Sequence, residues 1–124
     1  MDDIFIIGQG NDKIEQVAVG DLSPHPRNSR THSDAQIAMI GKAMQSYGFI
    51  VPILADENSR IIAGHGRKMA AESLGLDKVP VIRAKHLTDD QIRAFVIADN
   101  RLAEMAEWDT PVLAEELKYL YEET

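Results

Sequence analysis

The chain has 124 residues, a formal net charge of −7, 44% hydrophobic and 27% charged residues, and no cysteine. This size and composition predict one globular domain. The lack of cysteine excludes disulfides, thiolate metal sites and cysteine nucleophiles, and it favours a reducing cytoplasm. No apolar run approaches the roughly 18 residues of a membrane span. The acidic start of the chain differs from the basic leader of a signal peptide.

The charge is unevenly distributed along the chain. Residues 21–70 carry six basic and four acidic side chains, whereas residues 87–124 carry three basic and ten acidic ones. A domain that binds duplex DNA on its own is usually basic overall, because neutralising phosphates supplies much of the affinity. The overall charge therefore argues against autonomous duplex binding. The central part of the chain can accept an anion, and the acidic C-terminal part is expected to face water or a basic partner.

The first regular elements are a strand and a capped helix. Residues 14–19 alternate weakly and predict a strand, and the polar, proline-containing stretch 21–32 predicts an irregular loop. Ser33 and Gln36 form a capping-box pattern at the start of a helix predicted over 34–47. Apolar residues at helical spacing give this helix one buried stripe, made of Ile37, Ile40, Met44 and Tyr47.

The middle of the chain reads as a hairpin followed by a helix and another strand. The β-rich runs 49–55 and 60–63 flank a polar turn at 56–59, which predicts a β-hairpin. Good helix formers follow from 67 to 74, and 79–82 is a further apolar strand. The predicted fold class is therefore a small α/β (α+β) domain with a mixed sheet and flanking helices.

The C-terminal part is predicted to be helical. Thr88 and Gln91 form a second capping box, and the helix after it is expected to reach Asp99 or beyond. Its predicted buried face consists of Ile92, Phe95 and Val96. A last helix runs from Pro111 to Tyr121. The predicted organisation is a loosely ordered N-terminus (1–13), a main domain (14–106) and a C-terminal helix (107–124) that can lead into a further domain.

The sequence Gly64-His65-Gly66-Arg67 lies between a predicted strand and a predicted helix. In one interpretation the glycines only permit a tight turn with positive φ, and His65 and Arg67 are solvent-exposed. In the other, the free N–H groups of the helix start bind a phosphate and Arg67 adds hydrogen bonds. Arg67 and Lys68 in a first helical turn oppose the helix dipole at a cost of a few tenths of a kcal/mol each, roughly. A bound anion would remove that conflict.

Further charged residues accompany this junction in the sequence. Arg27 and Arg30 lie in the irregular loop, and Arg101 follows Asp99 and Asn100. Magnesium prefers hard oxygen ligands and keeps several waters, so two such residues suffice when phosphates supply the rest. The alternative for Asp99 and Asn100 is an ordinary polar pair near a helix end.

Three ordered blocks resemble one known family. LSPHPRNSR at 22–30, IGKAMQSYGFIVPILADENSRIIAGHGRKMAAESLGLDKVPVI at 40–82 and LTDDQIRAFVIADNRLAE at 87–104 resemble the N-terminal domain of the ParB/sulfiredoxin-like superfamily. The similarity is greatest to phage and prophage versions that are associated with DNA methyltransferases. The resemblance implies the fold of that superfamily.

The resemblance also implies a ligand. ParB proteins bind cytidine triphosphate with magnesium through these blocks and hydrolyse it slowly. Gly64 and Arg67 match the ends of their GERR block, so a phosphate contact by Arg67 carries over, with His65 and Gly66 in its unmatched middle. Asn100 matches an asparagine implicated in metal and triphosphate binding, and Asp99 replaces a glutamate. The implied cofactors are a nucleoside triphosphate and Mg²⁺, with Arg30 and Arg101 adding charge. Glutamine commonly stands in the family where this chain has Val51, so the base is left open.

Two alternatives to a nucleotide-binding module follow from the same resemblance. One is a nuclease or nickase in which His65 and Asp99 activate water with a metal. The other is an adaptor for a methyltransferase or other phage DNA machinery, suggested by the acidic stretch after residue 87 and by Trp108. Sulfiredoxin chemistry is not expected, because His65 replaces the catalytic cysteine. ParB proteins read DNA with a region after this domain and often pair when nucleotide is bound. DNA contact is therefore expected to be indirect or through a downstream segment, and a homodimer is possible.

Overall fold

The computed structural model describes residues 3–10, 12–26 and 31–123 of the chain. Within them the strands are β1 (Glu15–Ala18), β2 (Ser23–Pro24), β3 (Ile53–Ala55), β4 (Arg60–Ala63) and β5 (Lys78–Arg83). The helices are α1 (Asp34–Tyr47), α2 (His65–Ser73), α3 (Asp89–Met105) and α4 (Thr110–Glu123). A single 3₁₀ turn links β1 to β2. Strands and helices thus alternate through the middle of the chain, as an α/β fold requires.

The five strands form one mixed sheet in the order β1-β5-β3-β4-β2. β1 pairs with β5 and β3 pairs with β4 in antiparallel fashion. β2 lies parallel to β4, and β3 lies parallel to β5. The mixed sheet and the β3–β4 hairpin confirm the predictions made from the sequence. The central strands β3 and β4 carry the chain directly into the turn before α2.

Both faces of the sheet are covered. Successive residues of a strand point to opposite faces, and Ile61 and Ile62 of β4 belong to two separate apolar clusters. The Ile61 cluster includes Ala71 of α2 and the buried residues Val19, Leu22, Ile53, Ala55, Val79 and Val81. The Ile62 cluster includes Ala84 and, from α3, Ile92 and Val96. The sheet is therefore covered by α2 on one face and by α3 on the other, and α2 begins directly after β4 ends.

The two capping boxes are present as predicted. The Ser33 hydroxyl accepts a hydrogen bond from Gln36 N, and the Thr88 hydroxyl accepts one from Gln91 N. In both, the glutamine side chain accepts in return from the N-cap backbone. These reciprocal bonds satisfy helix-start donors locally. They explain why the starts of α1 and α3 follow from the sequence alone.

Two residues of the predicted buried faces are exposed. Tyr47 at the end of α1 is 77% exposed and Phe95 of α3 is 41% exposed, so both predictions were wrong. On α3, Ile92 and Val96 lie one turn apart and cover the sheet, whereas Phe95 is rotated by about 100° from Val96. On α1, the contact is made to α2, with the buried Gly41 against Leu74. A helix packed on one other helix buries a narrow stripe that ends before Tyr47.

Several boundaries differ from those predicted. The apolar run 49–55 is a strand only over its last three residues, because Pro52 cannot donate to a ladder. α2 begins at His65, two residues earlier than predicted. Phe5, in a segment expected to be loosely ordered, stacks on His86 with ring centroids 3.6 Å apart. Within the described part of the chain, no helix is both long and apolar enough to span a bilayer.

Candidate functional site

The turn between β4 and α2 requires glycine at its first position. Gly64 caps α2 in a left-handed conformation, with φ 107° and ψ 24°. A Cβ at this position would lie 2.9 Å from Arg67 Nη2 and 3.1 Å from Ile53 Cγ1. Backbone strain and these close contacts therefore both disfavour a side chain here. Gly64 therefore allows β4 to continue into α2 with no side chain over the backbone of the turn.

The first turn of α2 offers unsatisfied backbone donors. Gly64 supplies no side-chain cap, and the first turn contains no acidic residue. The first N–H groups of any helix lack intrahelical partners and lie at the positive end of its dipole. Gly66 is buried, and a Cβ on it would lie 3.0 Å from Ile40 Cδ1 and 3.1 Å from His32 Cε1. This glycine allows α1 and the segment before it to approach the helix start closely.

Arg67 is half-buried beneath this turn. Its Nη2 donates to the carbonyl of Pro52 at 3.2 Å. Its Nε is buried and has no hydrogen-bond partner among the described residues. Burial lowers the pKa of the guanidinium, which still remains charged near neutral pH. Because buried donors are rarely left unpaired in proteins, this arginine marks a place where an acceptor is expected.

An open cavity of about 500 Å³ adjoins the turn. Its lining includes the whole Gly64–Arg67 turn, Ile40 of α1, and Val96, Asp99 and Asn100 of α3. The floor is partly apolar, with Ile62 of β4. The structure thus brings together the two motifs that the sequence separates by more than thirty residues.

The remaining predicted site residues have different placements. Asp99 is exposed and Asn100 is half-buried, and both line the cavity. Arg101 is exposed, does not line the cavity and pairs with Glu104 at 3.5 Å. Arg30, like Arg27, lies outside the described residues. Among the residues that the structure describes, no group of three or more His, Asp or Glu side chains is placed to hold a metal ion.

His65 is held neutral at the start of α2. Its Nε2 accepts a hydrogen bond from the backbone N–H of His25 at 3.4 Å. Burial, and then the proximity of His32, His25 and Lys68, lower its pKa to about 4. The interpretation in which His65 is simply exposed is therefore wrong. The contributions of His25 and His32 were missed, since neither histidine stands in a motif that links it to residue 65.

The structure is that of a small α/β domain in which β4 ends in a glycine turn, followed by a helix start without a side-chain cap and a half-buried arginine. The ParB N-terminal domain model matches residues 8–101, and the chain belongs to this family. It is 48% identical over 79 residues to the ParB-like nuclease domain-containing protein YnaK of Escherichia coli K12, covering 64% of this chain and 91% of that protein.

Longer relatives match over a similar region. The nucleoid occlusion protein of Bacillus cereus AH187 is 32% identical over 94 residues, covering 72% of this chain. The stage 0 sporulation protein J of Bacillus subtilis 168 is 29% identical over 91 residues, covering 70% of this chain. The matched region spans 32% of each of these two relatives.

Solved structures show the same fold. The C-terminally truncated chromosome-partitioning protein ParB from Caulobacter crescentus, complexed with CTP-gamma-S, aligns with a TM-score of 0.74 and 23% identity over 90% of this chain and 64% of that one. Sulfiredoxin from Arabidopsis thaliana aligns with a TM-score of 0.56 and 17% identity over 68% of this chain and 97% of that one. The predicted superfamily and fold class are confirmed.

Proposed function

We propose that this domain binds a nucleoside triphosphate at the start of α2. The observation that carries the proposal is the buried, unpartnered Nε of Arg67 beside an uncapped helix start in a 500 Å³ cavity. An anion would accept from the free N–H groups of the helix start and pair with the Arg67 guanidinium, and it would offset the unfavourable placement of Arg67 and Lys68 near the positive end of the helix. The Caulobacter ParB structure with CTP-gamma-S supports the same ligand class.

In this proposal the phosphates lie over the turn formed by Gly64, His65, Gly66 and Arg67. Asp99 and Asn100 face the same cavity from α3 and supply one carboxylate and one amide oxygen. These hard oxygens fit Mg²⁺ when phosphate and water complete its shell, and the ion would neutralise phosphate charge. Arg30 and Arg101 remain predicted sources of further positive charge. Val51 also lines the cavity and leaves the base open.

Replacing Arg67 with alanine is expected to weaken triphosphate binding about a hundredfold, because hydrogen bonds to charged groups contribute roughly 1.5–3 kcal/mol each. Isothermal titration with the four ribonucleoside triphosphates, with and without magnesium, measures this. Arg93→Ala is the matched control, since Arg93 lies on α3 outside the cavity and pairs loosely with Asp90. Circular dichroism checks that both variants fold. Saturable binding that is unchanged in Arg67→Ala would overturn the assignment.

The biological setting that we propose is DNA-associated and cytoplasmic. Two relatives are a nucleoid occlusion protein and a chromosome-partitioning protein, and one ParB structure is complexed to the centromeric parS site. The acidic balance of this chain supports contact with DNA through another segment or a partner, such as a phage-associated methyltransferase. The second candidate is a nuclease, and the observation that favours it is the similarity to YnaK, which is named a ParB-like nuclease domain-containing protein.

We also propose a homodimer formed through α3 and α4. The buried residues of α3 end at Val96, and the apolar side chains beyond it are largely exposed. These are Ile97, Leu102, Met105 and Trp108, followed on α4 by Val112 and Leu117. Several exposed apolar side chains on two consecutive helices are typical of an interaction surface. A second copy offers the same side chains, which suits a two-fold interface.

The variant Leu102→Asp is expected to weaken self-association about tenfold or more, because it places a charge in the proposed apolar interface. Sedimentation velocity over a range of protein concentrations, with and without nucleotide, measures the dimer fraction. Met39→Asp is the control, since Met39 on α1 is equally exposed, at 72% against 67% for Leu102. A wild-type protein that stays monomeric at all concentrations would contradict the dimer and leave nucleotide binding unaffected.

A further inference from the structure

Three histidines from separate parts of the chain meet beside the first turn of α2. His25 follows β2 and is buried, His32 precedes α1 and is half-buried, and His65 is the first residue of α2. The His32 ring lies against the backbone of Gly66, with Cε1 3.1 Å from the place of a Cβ. His65 lines the cavity beside the turn and a second one on its other side. The helix start therefore carries a titratable side chain in contact with the proposed anion site.

The hydrogen bond from His25 N fixes the chemical form of His65. An N–H can only be accepted by an unprotonated ring nitrogen, so Nε2 carries no proton and Nδ1 carries the hydrogen of the neutral ring. If Nε2 gained a proton, two donors would face each other and the contact would be lost. At 3.4 Å this bond is long for its type, so its loss costs little. The hydrogen bond itself therefore adds little to the cost of protonating the ring, and burial sets most of that cost.

The surrounding charges oppose protonation while the site contains no anion. The titratable and charged groups that act on His65 or share a cavity lining with it are His25, His32, Arg67, Lys68, Glu72 and Asp99. Lys68 is paired with Glu72 at 2.7 Å, which leaves Glu72 little net effect on the ring. Burial, and then the proximity of His32, His25 and Lys68, hold the pKa of His65 near 4. A phosphate at the turn would reverse the sign of the local field and favour the imidazolium.

We propose that His65 takes up a proton from solvent when a phosphate group binds at the start of α2, so that anion binding and protonation are coupled. This inference rests on the proposed nucleotide site. The proton goes to the ring nitrogen, the bond from His25 N is released, and the imidazolium pairs with the phosphate. Linkage then requires that a lower pH strengthens binding, because the complex holds one more proton than the free protein and ligand.

The expected effect follows from the two protonation equilibria. If the anion restores the pKa of His65 from about 4 to its ordinary value of 6.5, the dissociation constant falls about tenfold between pH 7.5 and pH 5.5. Close to one proton, roughly, is taken up per ligand at pH 5.5. The probe is inorganic tripolyphosphate, which has no nucleobase. EDTA is added so that binding is measured without a metal ion. Titration calorimetry in buffers of different ionisation enthalpy counts the protons.

His65→Gln is the test variant, because a glutamine oxygen can still accept from His25 N but cannot titrate. His86→Gln is the control, since His86 stacks on Phe5 away from the cavity. Both proteins share the titration of the ligand itself, so the expected tenfold pH effect is the ratio between wild type and His65→Gln. A pH effect that persists undiminished in His65→Gln overturns the proposal.

Nuclear magnetic resonance gives an independent readout that does not depend on binding by the variant. The ring resonance of His65 is assigned by its loss in His65→Gln and is followed from pH 4 to 8 with and without tripolyphosphate. An upward shift of its midpoint on binding supports the coupling. Binding with an unchanged midpoint overturns the coupling and leaves the anion site intact. No binding of tripolyphosphate or nucleotide at either pH overturns the proposed function as well.

Discussion

Gly64→Ala is expected to destabilise the fold by about 2–4 kcal/mol and to weaken nucleotide binding about tenfold or more. A residue with a Cβ is strained at φ 107°, and the new methyl group would lie 2.9 Å from Arg67 Nη2. Relief of that contact requires Arg67 to move away from Pro52 and from its place under the turn. The same substitution is therefore expected to lower the stability of the fold and to displace Arg67, the residue proposed to bind phosphate. Urea unfolding followed by circular dichroism, and calorimetric titration with nucleotide, measure the two effects.

Two other glycines serve as control positions that separate the effect of backbone strain from the effect of steric crowding. Gly75 has φ 73° with nothing within 4 Å of a Cβ, so Gly75→Ala is expected to cost about 1–2 kcal/mol from strain alone. Gly20 has neither positive φ nor a close neighbour, so Gly20→Ala is expected to change stability by less than about 0.5 kcal/mol. Neither variant is expected to alter binding. A Gly64→Ala variant that binds like these controls would show that the position of Arg67 does not matter for the ligand.

The parts of the fold that could be predicted are those that local chemistry determines. The side-chain caps Ser33 and Thr88 fix the starts of α1 and α3, and the polar turn 56–59 fixes the hairpin. The exposure of Tyr47 and Phe95 could not be predicted, because periodicity gives the apolar side of a helix but not the width of its contact. The early start of α2 was missed for a related reason. Its N-cap is a glycine, which bonds through no side chain.

The resemblance assigned Gly64, Arg67, Asp99 and Asn100 to one site, and these residues line one cavity. Their binding of phosphate or metal stays a prediction. The unpaired Nε of Arg67 and the contact of His25 with His65 could not be predicted, because they depend on the three-dimensional packing of residues that are distant in the sequence. Arg67 bonds to Pro52, 15 positions away, and His65 bonds to His25, 40 positions away. Arg101 does not lie with the residues of the cavity. It neighbours Asn100 in the sequence, but one step along a helix rotates a side chain by about 100°, and it lies outside the lining.

The buried carboxylate of Asp56 stabilises the β3–β4 hairpin, which leads into the turn at Gly64. Asp56 is 3% exposed, and its Oδ1 accepts from the backbone N–H groups of Asn58 and Arg60, each at 2.9 Å. Its Oδ2 accepts from Arg60 Nε at 2.6 Å. Arg60 also reaches Asp89, in the first turn of α3, at 3.0 Å. The network therefore links the β3–β4 turn to α3, the helix that carries Asp99.

Asp56→Ala is expected to destabilise the protein by about 2–4 kcal/mol, because it leaves two backbone donors without their buried acceptor. Asp89→Ala is the matched control, since it removes the other partner of Arg60. The Asp89 side chain is 79% exposed, so about 1 kcal/mol or less is expected. Asp56→Asn should lose less than Asp56→Ala, since it keeps an oxygen for the backbone donors.

Urea unfolding followed by far-ultraviolet circular dichroism measures all three variants, because Trp108 is too exposed to report on the core. Equal losses for Asp56→Ala and Asp89→Ala would contradict the role of the buried carboxylate. They would show that Arg60 stabilises the protein through its surface contact with α3. The predicted inequality instead places the stability of this region in the β3–β4 turn. The strand that leads to Gly64 would then depend on this turn more than on the contact between Arg60 and Asp89.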